Sequence, residues 1–333
     1  MRDSRKTIAL GCCQLGLSII LQAQGVSPKV FMETQWMPAA DMEDTTGEFS
    51  TNSYKLGFSV PVRGKVMPRI DTERPSFYAL FVNGQVTFTQ YTIEPFSSDR
   101  LGITPWIGSS FLYFNGKKSV FLGNIRALLL EDEFTISQPK LKPAGLLVWR
   151  YQASPSFSYQ LGITYTYNLG MGLPFPVLGG SKIFNERARL TVTLPLMVQY
   201  HCKLSDTFYY QVFMQPDGSI TRFQNNGMFE QQDKILLLRQ RAMQFGVLGT
   251  YVYHRFQLHT EIGLLGIRSI SFSEEESTMA KLRNLNFLQP SHVYHTGIAP
   301  RLYANLTLRI NLAKRSGQLD LLNSVEAAWM GFD

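Results

Sequence analysis

Two groupings of histidine and carboxylate carry the clearest chemistry in this sequence of 333 residues. His259 and Glu261 lie at i, i+2, the spacing that puts both side chains on one face of a strand. There an imidazole and a carboxylate form an acid/base pair or part of a metal site. His292 and His295, with Glu274, Glu275 and Glu276 upstream, could ligate a divalent cation from a long loop. Each grouping also has a plainer reading, as a hydrogen-bonded pair inside a barrel and as a solvated loop face. The sequence holds no GxGxxG or phosphate-loop pattern, no HExxH and no cysteine pairs spaced for zinc, so it predicts no cofactor and no metal. Serines are plentiful, but catalysis needs nucleophile and base within hydrogen-bond reach, and no placement here points to an enzyme.

A third pattern lies in the sign of charge. If one face of each strand looks inward, Lys55, Arg63, Arg126, Arg150, Arg187, Arg189 and Arg309 share that face with few acids, chiefly Glu261. A ring of cations in a narrow aqueous lumen favours anions. In the competing reading these cations pair with loop carboxylates from Asp41 to Glu48 or Glu274 to Glu276 and plug the barrel, or face lipopolysaccharide at its rim.

The elements that must position these residues are strands, because period-2 alternation runs through most of the chain. In Tyr54 to Arg63 the apolar face is Tyr54, Leu56, Phe58, Val60 and Val62. In Ser156 to Tyr167 it is Phe157, Tyr159, Leu161, Ile163, Tyr165 and Tyr167. Arg187 to Tyr200 and Leu302 to Leu312 alternate in the same way. These runs reach the roughly 9 to 11 residues that a tilted strand needs to cross a bilayer, beyond the roughly 5 to 6 of an ordinary strand. Tyrosines at the strand ends fit interfacial girdles.

Weaker runs are placed near 29–38, 77–94, 104–114, 119–131, 142–152, 177–184, 208–215, 219–225, 235–253 and 256–272. Fourteen strands result, with twelve as the alternative. Asn83-Gly84 has hairpin chemistry, but Tyr78, Leu80, Val82, Val86 and Phe88 keep one parity through it, which predicts a single strand. Short turns are expected at Asn115-Gly116, 153–155, Asn185-Glu186, Pro216-Asp217-Gly218 and His254-Arg255. Longer external loops are expected at 132–139, 170–176, 226–234 and 273–298. The segment 203–207 is short for its expected external side, and 64–75 is long for its periplasmic one. Pro174 and Pro176 exclude a regular central strand through all of 170–180, so an external loop is expected there.

Composition agrees with a membrane barrel: 44% of residues are hydrophobic and 13% aromatic, and only 17% are charged, against about 25% in a typical soluble domain. No run of 18 apolar residues follows the leader. That leader is a basic start through Arg2, Arg5 and Lys6, then an uncharged run from Thr7 to Leu21 ending at Ala23, and it reads as a signal peptide over residues 1–23. Residues 24–312 form the barrel, and 313–333 are a periplasmic tail or a closing strand. Cleavage after Ala23 leaves Cys202 as the single cysteine, so no intramolecular disulfide forms. The leader's three cations and one acid account for +2 of the net charge of +7, leaving +5 without any dense basic block, and nucleic acid is not an expected partner.

The layout resembles an uncharacterised family of outer-membrane β-barrel proteins from Bacteroidota. The resemblance rests on the leader end Leu21-Gln22-Ala23-Gln24, the strand segment from Leu56 to Val62, Leu161-Gly162-Ile163-Thr164-Tyr165, and the segment from Leu173 to Gly180. It implies an all-β transmembrane antiparallel up-and-down barrel in the outer membrane, and brings no substrate or catalytic residue. The expected surroundings are outer-membrane lipid and lipopolysaccharide, with insertion by barrel-assembly machinery and a monomer as the expected state. Two functions remain open: a narrow pore or transport protein for small, anionic or hydrophobic solutes, and a structural or surface-interaction barrel with a plugged lumen.

Overall fold

The computed structural model describes residues 28–67, 76–94, 97–115, 118–129, 131–132, 141–166, 173–224, 235–274 and 292–312. The expected leader, most long external loops and the segment 313–333 lie outside them. The strands are β1 (Lys29–Asp41), β2 (Glu48–Met67), β3 (Ser76–Ile93), β4 (Ser97–Phe114), β5 (Ser119–Leu129), β6 (Glu131–Asp132), β7 (Leu141–Ser154) and β8 (Phe157–Thr166). They continue as β9 (Leu173–Ile183), β10 (Ala188–Leu194), β11 (Met197–Lys203), β12 (Phe208–Gln224), β13 (Ile235–Tyr253), β14 (Phe256–Glu274), β15 (His292–Ile298) and β16 (Arg301–Asn311).

Fourteen of these close an antiparallel barrel: each pairs with the next, β1 pairs with β16 and β11 with β12. β6 continues the register of β5 along β4, and β15 pairs with the outer end of β14. Closure through β1 and β16 makes the ring continuous, and the backbone is paired all round it up to the level of the β10–β11 hairpin, as a backbone in lipid requires. Side-chain parity sorts as the alternation predicts. Ile125, Ile262 and Leu302 point outward at 72%, 65% and 65% exposure, while Thr191, Gln160 and Thr307 point inward and are buried. Aromatic pairs such as Tyr151–Tyr159 and Phe184–Tyr200 crowd the periplasmic ends of the outward face, where a girdle belongs.

The outward face also marks where the wall leaves the bilayer. Along the β2–β3 ladder, Tyr54 opposite Phe88 gives way to Asn52 opposite Gln90 and then Ser50 opposite Thr92. On β14 the change falls between Ile267, at a bulge with φ 49, and Ser269. Outward residues from Tyr78 to Phe88 span roughly 25 Å of height at about 3.3 Å per residue and a tilt of about 40°, the height of an apolar band.

Beyond that level the tall strands close a second, narrower ring. Around it run β12, β13, β14, β15, the bridge from Ile298 to Met42, β2, β3, β4 and β6, and the parallel pair of Glu131 with Arg222 returns it to β12. Its interior is a packed apolar cluster of Ala40, Met42, Phe49, Tyr91, Ile93, Leu236, Leu238, Ile270, Phe272 and Ile298, none more than 5% exposed. The Tyr91 hydroxyl meets Thr221 Oγ1 at 2.9 Å, linking β3 to β12 across the tube.

Three local expectations fail for identifiable reasons. Arg187 to Tyr200 is two strands, β10 and β11, joined at Pro195 and Leu196. The closing pair Thr193–Met197 leaves three residues between, so the same parity emerges on the far side and the alternation hides the turn. Conversely, Pro216-Asp217-Gly218 is not a turn but the middle of β12, paired with Met243, Ala242 and Arg241. Pro216 is tolerated because β11 pairs only as far as Met214, so no ladder bond is lost on that side. The third failure is Pro174 and Pro176, which belong to β9 and pair with Tyr165 and Ile163, where β10 has not yet begun to pair. The segment 203–207 accordingly lies on the periplasmic side, which removes its anomalous length. Asn83 and Gly84 do lie within one strand.

Candidate functional site: the barrel lumen

Inward positions fall into three levels. The outer level is the apolar cluster. The middle level is a hydrogen-bonded network on β1, β2, β12, β13, β14 and β16. Lys55 Nζ donates to Glu33 Oε1 at 2.6 Å, and Asn305 donates to the same oxygen at 3.2 Å. Gln215 donates to Gln244 at 2.7 Å, Gln244 to Glu261 at 3.1 Å, and the Tyr303 hydroxyl to Glu261 at 2.5 Å. Tyr303 can lie across the wall because its neighbours lack side chains: a Cβ on Gly263 would stand 2.6 Å from the ring, and one on Gly246 would stand 2.8 Å from its hydroxyl. Asp217, on β12, shares the inward parity of Gln215. It was missed as a lumen residue because its flanking Pro and Gly read as a turn.

The periplasmic level is cationic. Arg150 on β7, Arg189 on β10, His201 on β11 and Arg309 on β16 all have inward parity. Arg189 is the cross-strand partner of His201, and Arg150 Nε donates to Ser158 Oγ at 2.8 Å. Around them the lining is uncharged: Ser181 meets Thr191 at 3.1 Å, and Gln160 donates to Thr193. Among the described residues no carboxylate shares this level. His201 went unnoticed because the alternation placed its strand without marking the hairpin that turns it back toward Arg189.

The remaining sequence candidates scatter. Arg126 is inward, its guanidinium 5.3 Å from the centre of the Trp106 ring. Arg63 follows a bulge at Pro61 that slips it opposite outward Leu80, and it is exposed near the periplasmic end. Arg187 lies in the turn before β10, exposed, its backbone N–H donating to Asn185. His259 and Glu261 share the inward face, but His259 Nδ1 meets Thr250 Oγ1 at 2.8 Å while Glu261 is held by Tyr303 and Gln244. His292 and His295 stand on β15 rather than in a loop, with His295 Nδ1 3.2 Å from the Ile270 carbonyl. Among the described residues no group of His, Cys, Asp and Glu is placed to hold a metal.

Comparison with solved structures returns bacterial outer-membrane barrels. The COG4313 outer membrane channel from Pseudomonas putida F1 aligns at 9% identity over 87% of this chain and 97% of that one, with a TM-score of 0.47. A Pseudomonas aeruginosa FadL homologue aligns at 8% identity over 86% and 91%, with a TM-score of 0.42. The translocator domain of autotransporter NalP from Neisseria meningitidis aligns at 7% identity over 92% and 97%, with a TM-score of 0.36. No curated protein matches the chain. One family model does match, over residues 132–301, which is half of the sequence, and the chain therefore belongs to the family described as a domain of unknown function, DUF6268.

Proposed function

We propose that this protein is an outer-membrane transport barrel for small solutes, selecting anions, with its outer mouth closed in the state described. The observation that carries the reading is the periplasmic level of the lumen, where Arg150, Arg189 and Arg309 face inward with no carboxylate at that level among the described residues. Fixed cations behind low-dielectric walls concentrate anions and set the sign of a narrow pore. A second reading is a structural or surface-interaction barrel. It is favoured by the apolar cluster across the outer tube and by the Lys55–Glu33 pair beneath it.

In either reading a leader over residues 1–23 exports the chain in a Gram-negative, Bacteroidota-type cell. The barrel-assembly machinery inserts it among lipid and lipopolysaccharide. One copy suffices, since the ring closes within one chain. The reading assigns no catalytic step. Single-channel recording of the refolded protein in a planar bilayer under a salt gradient separates the two functions. Discrete steps with an anion-selective reversal potential are expected for transport, and a silent but heat-modifiable barrel would move the assignment to the structural role.

A further inference from the structure

The wall is not of one height. β10 and β11 have 7 residues each, whereas β12 has 17 and β13 has 19. Outward residues on β10 run only from Ala188 to Leu194, roughly 15 Å of height by the same rise and tilt that give roughly 25 Å on β3. The short turns at 184–187 and 204–207 hold the periplasmic ends level, so the deficit of roughly 10 Å falls on the outer-leaflet side. Above the hairpin, β12 leaves β11 after Met214 and, among the described residues, next pairs on that side at Arg222, opposite Glu131 from β5's continuation. Ile220 and Leu237 hold outward-parity positions, yet both are buried and cluster with Leu128, an inward residue of β5. The narrow outer tube therefore stands inside the shoulder formed by β7 to β11.

Prolines edge this notch. Pro174 and Pro176 lie on β9 above its last pair with β10, Pro195 is in the hairpin, and Pro216 is on β12 above its last pair with β11. A residue without an N–H cannot extend a ladder, so both flanks are kept from zipping shut. The rim itself is apolar, with Leu194 54% exposed and Met197 directed inward.

We propose that the notch between β9 and β12, above the Leu194–Met197 hairpin, is a lateral portal through which an apolar small molecule that partitions into the outer leaflet passes between bilayer and lumen. The axial route is filled by the ten-residue apolar cluster, while among the described residues no strand lies opposite the acyl chains at the notch. The inference rests on the transport reading, and adds a lateral route for apolar solutes to the anion selectivity that the periplasmic level gives the lumen.

The first test is uptake of N-phenyl-1-naphthylamine, an apolar dye slowed by a lipopolysaccharide leaflet, by Gram-negative cells carrying the full chain. Wild type is expected to raise the rate several-fold over empty cells. A variant with the β10–β11 hairpin lengthened by about four alternating residues on each arm, restoring about 10 Å of wall, is expected to return it to background. Equal uptake by both proteins overturns the portal and leaves transport standing, whereas no uptake with either, together with silence in planar bilayers, overturns transport as well. A second measurement does not depend on the lengthened variant folding. In a Cys12→Ser, Cys13→Ser, Cys202→Ser background, bimane at Gln215→Cys, the first inward position above the last β11–β12 pair, is compared with bimane at Gln85→Cys on β3, in liposomes of brominated phosphatidylcholine. Stronger lipid quenching at 215 supports the portal, and equal quenching at the two sites refutes it.

Discussion

The middle and periplasmic levels of the lumen are built from the same residue types and held in opposite ways. At the middle level Lys55 is held by Glu33, and Glu261 by Tyr303 and Gln244. At the periplasmic level Arg189 and His201 face each other across a strand pair, and their immediate lining is hydroxyls and amides. The first arrangement spends its charge on holding strands together, because a partly buried ion is stable only with its partner in place. The second leaves a net field in the lumen, which does little for the fold and much for any ion that enters. Stability and selectivity are thus assigned to different heights of one tube.

That division breaks first at Lys55. Lys55→Met strands Glu33 among apolar and amide neighbours, and is expected to lower unfolding stability by about 3 kcal/mol, read as a lower urea midpoint for loss of the heat-modifiable band. Adding Glu33→Leu should recover most of that loss, and a double variant as unstable as the single one would show that the pair is not what holds β1 to β2. Next is Tyr303→Phe, which deletes the hydroxyl donated to Glu261 and is expected to cost about 1.5–3 kcal/mol in the same assay. Smallest in stability, at most about 0.5 kcal/mol, is Arg189→Gln, which removes one positive charge from the periplasmic level and keeps a polar side chain there. Its expected signature is a reversal potential shifted toward non-selective, and a large loss of stability with unchanged selectivity would reverse the roles given to the two levels.

Much of this architecture was legible in the alternation, since burial on one face of a strand enforces period 2 wherever lipid and lumen compete for side chains. Strand number came out right although two strands were misdrawn, because the hidden hairpin at Pro195 and the false turn at Pro216 offset each other. Both errors concern proline at the notch: Pro195 does end its strand, where the unbroken alternation concealed it, and Pro216 does not end its own, because it stands at an unpaired edge. The inward face of Lys55, Arg126, Arg150, Arg189, His259, Glu261 and Arg309 could be read from parity. Arg63 could not, because a bulge at Pro61 adds one residue and turns the side chain over. Nor could the outer tube be read from sequence: its closure depends on Glu131 finding Arg222, and no local pattern in β5 records that partner.

The outer tube also has a consequence for assembly in time. Its last contacts tie the two ends of the chain together: Glu43 N–H to the Gly297 carbonyl, Ala299 N–H to the Asp41 carbonyl, and Asp44 N–H to Thr296 Oγ1 across 252 residues. Contacts of such sequence separation form late, after the loops they close have been ordered by nearer pairings. A nascent or partly inserted barrel therefore passes through a stage in which most of the β-wall is paired while neither the β1–β16 seam nor the mouth is closed, and both seal only when β15 and β16 arrive.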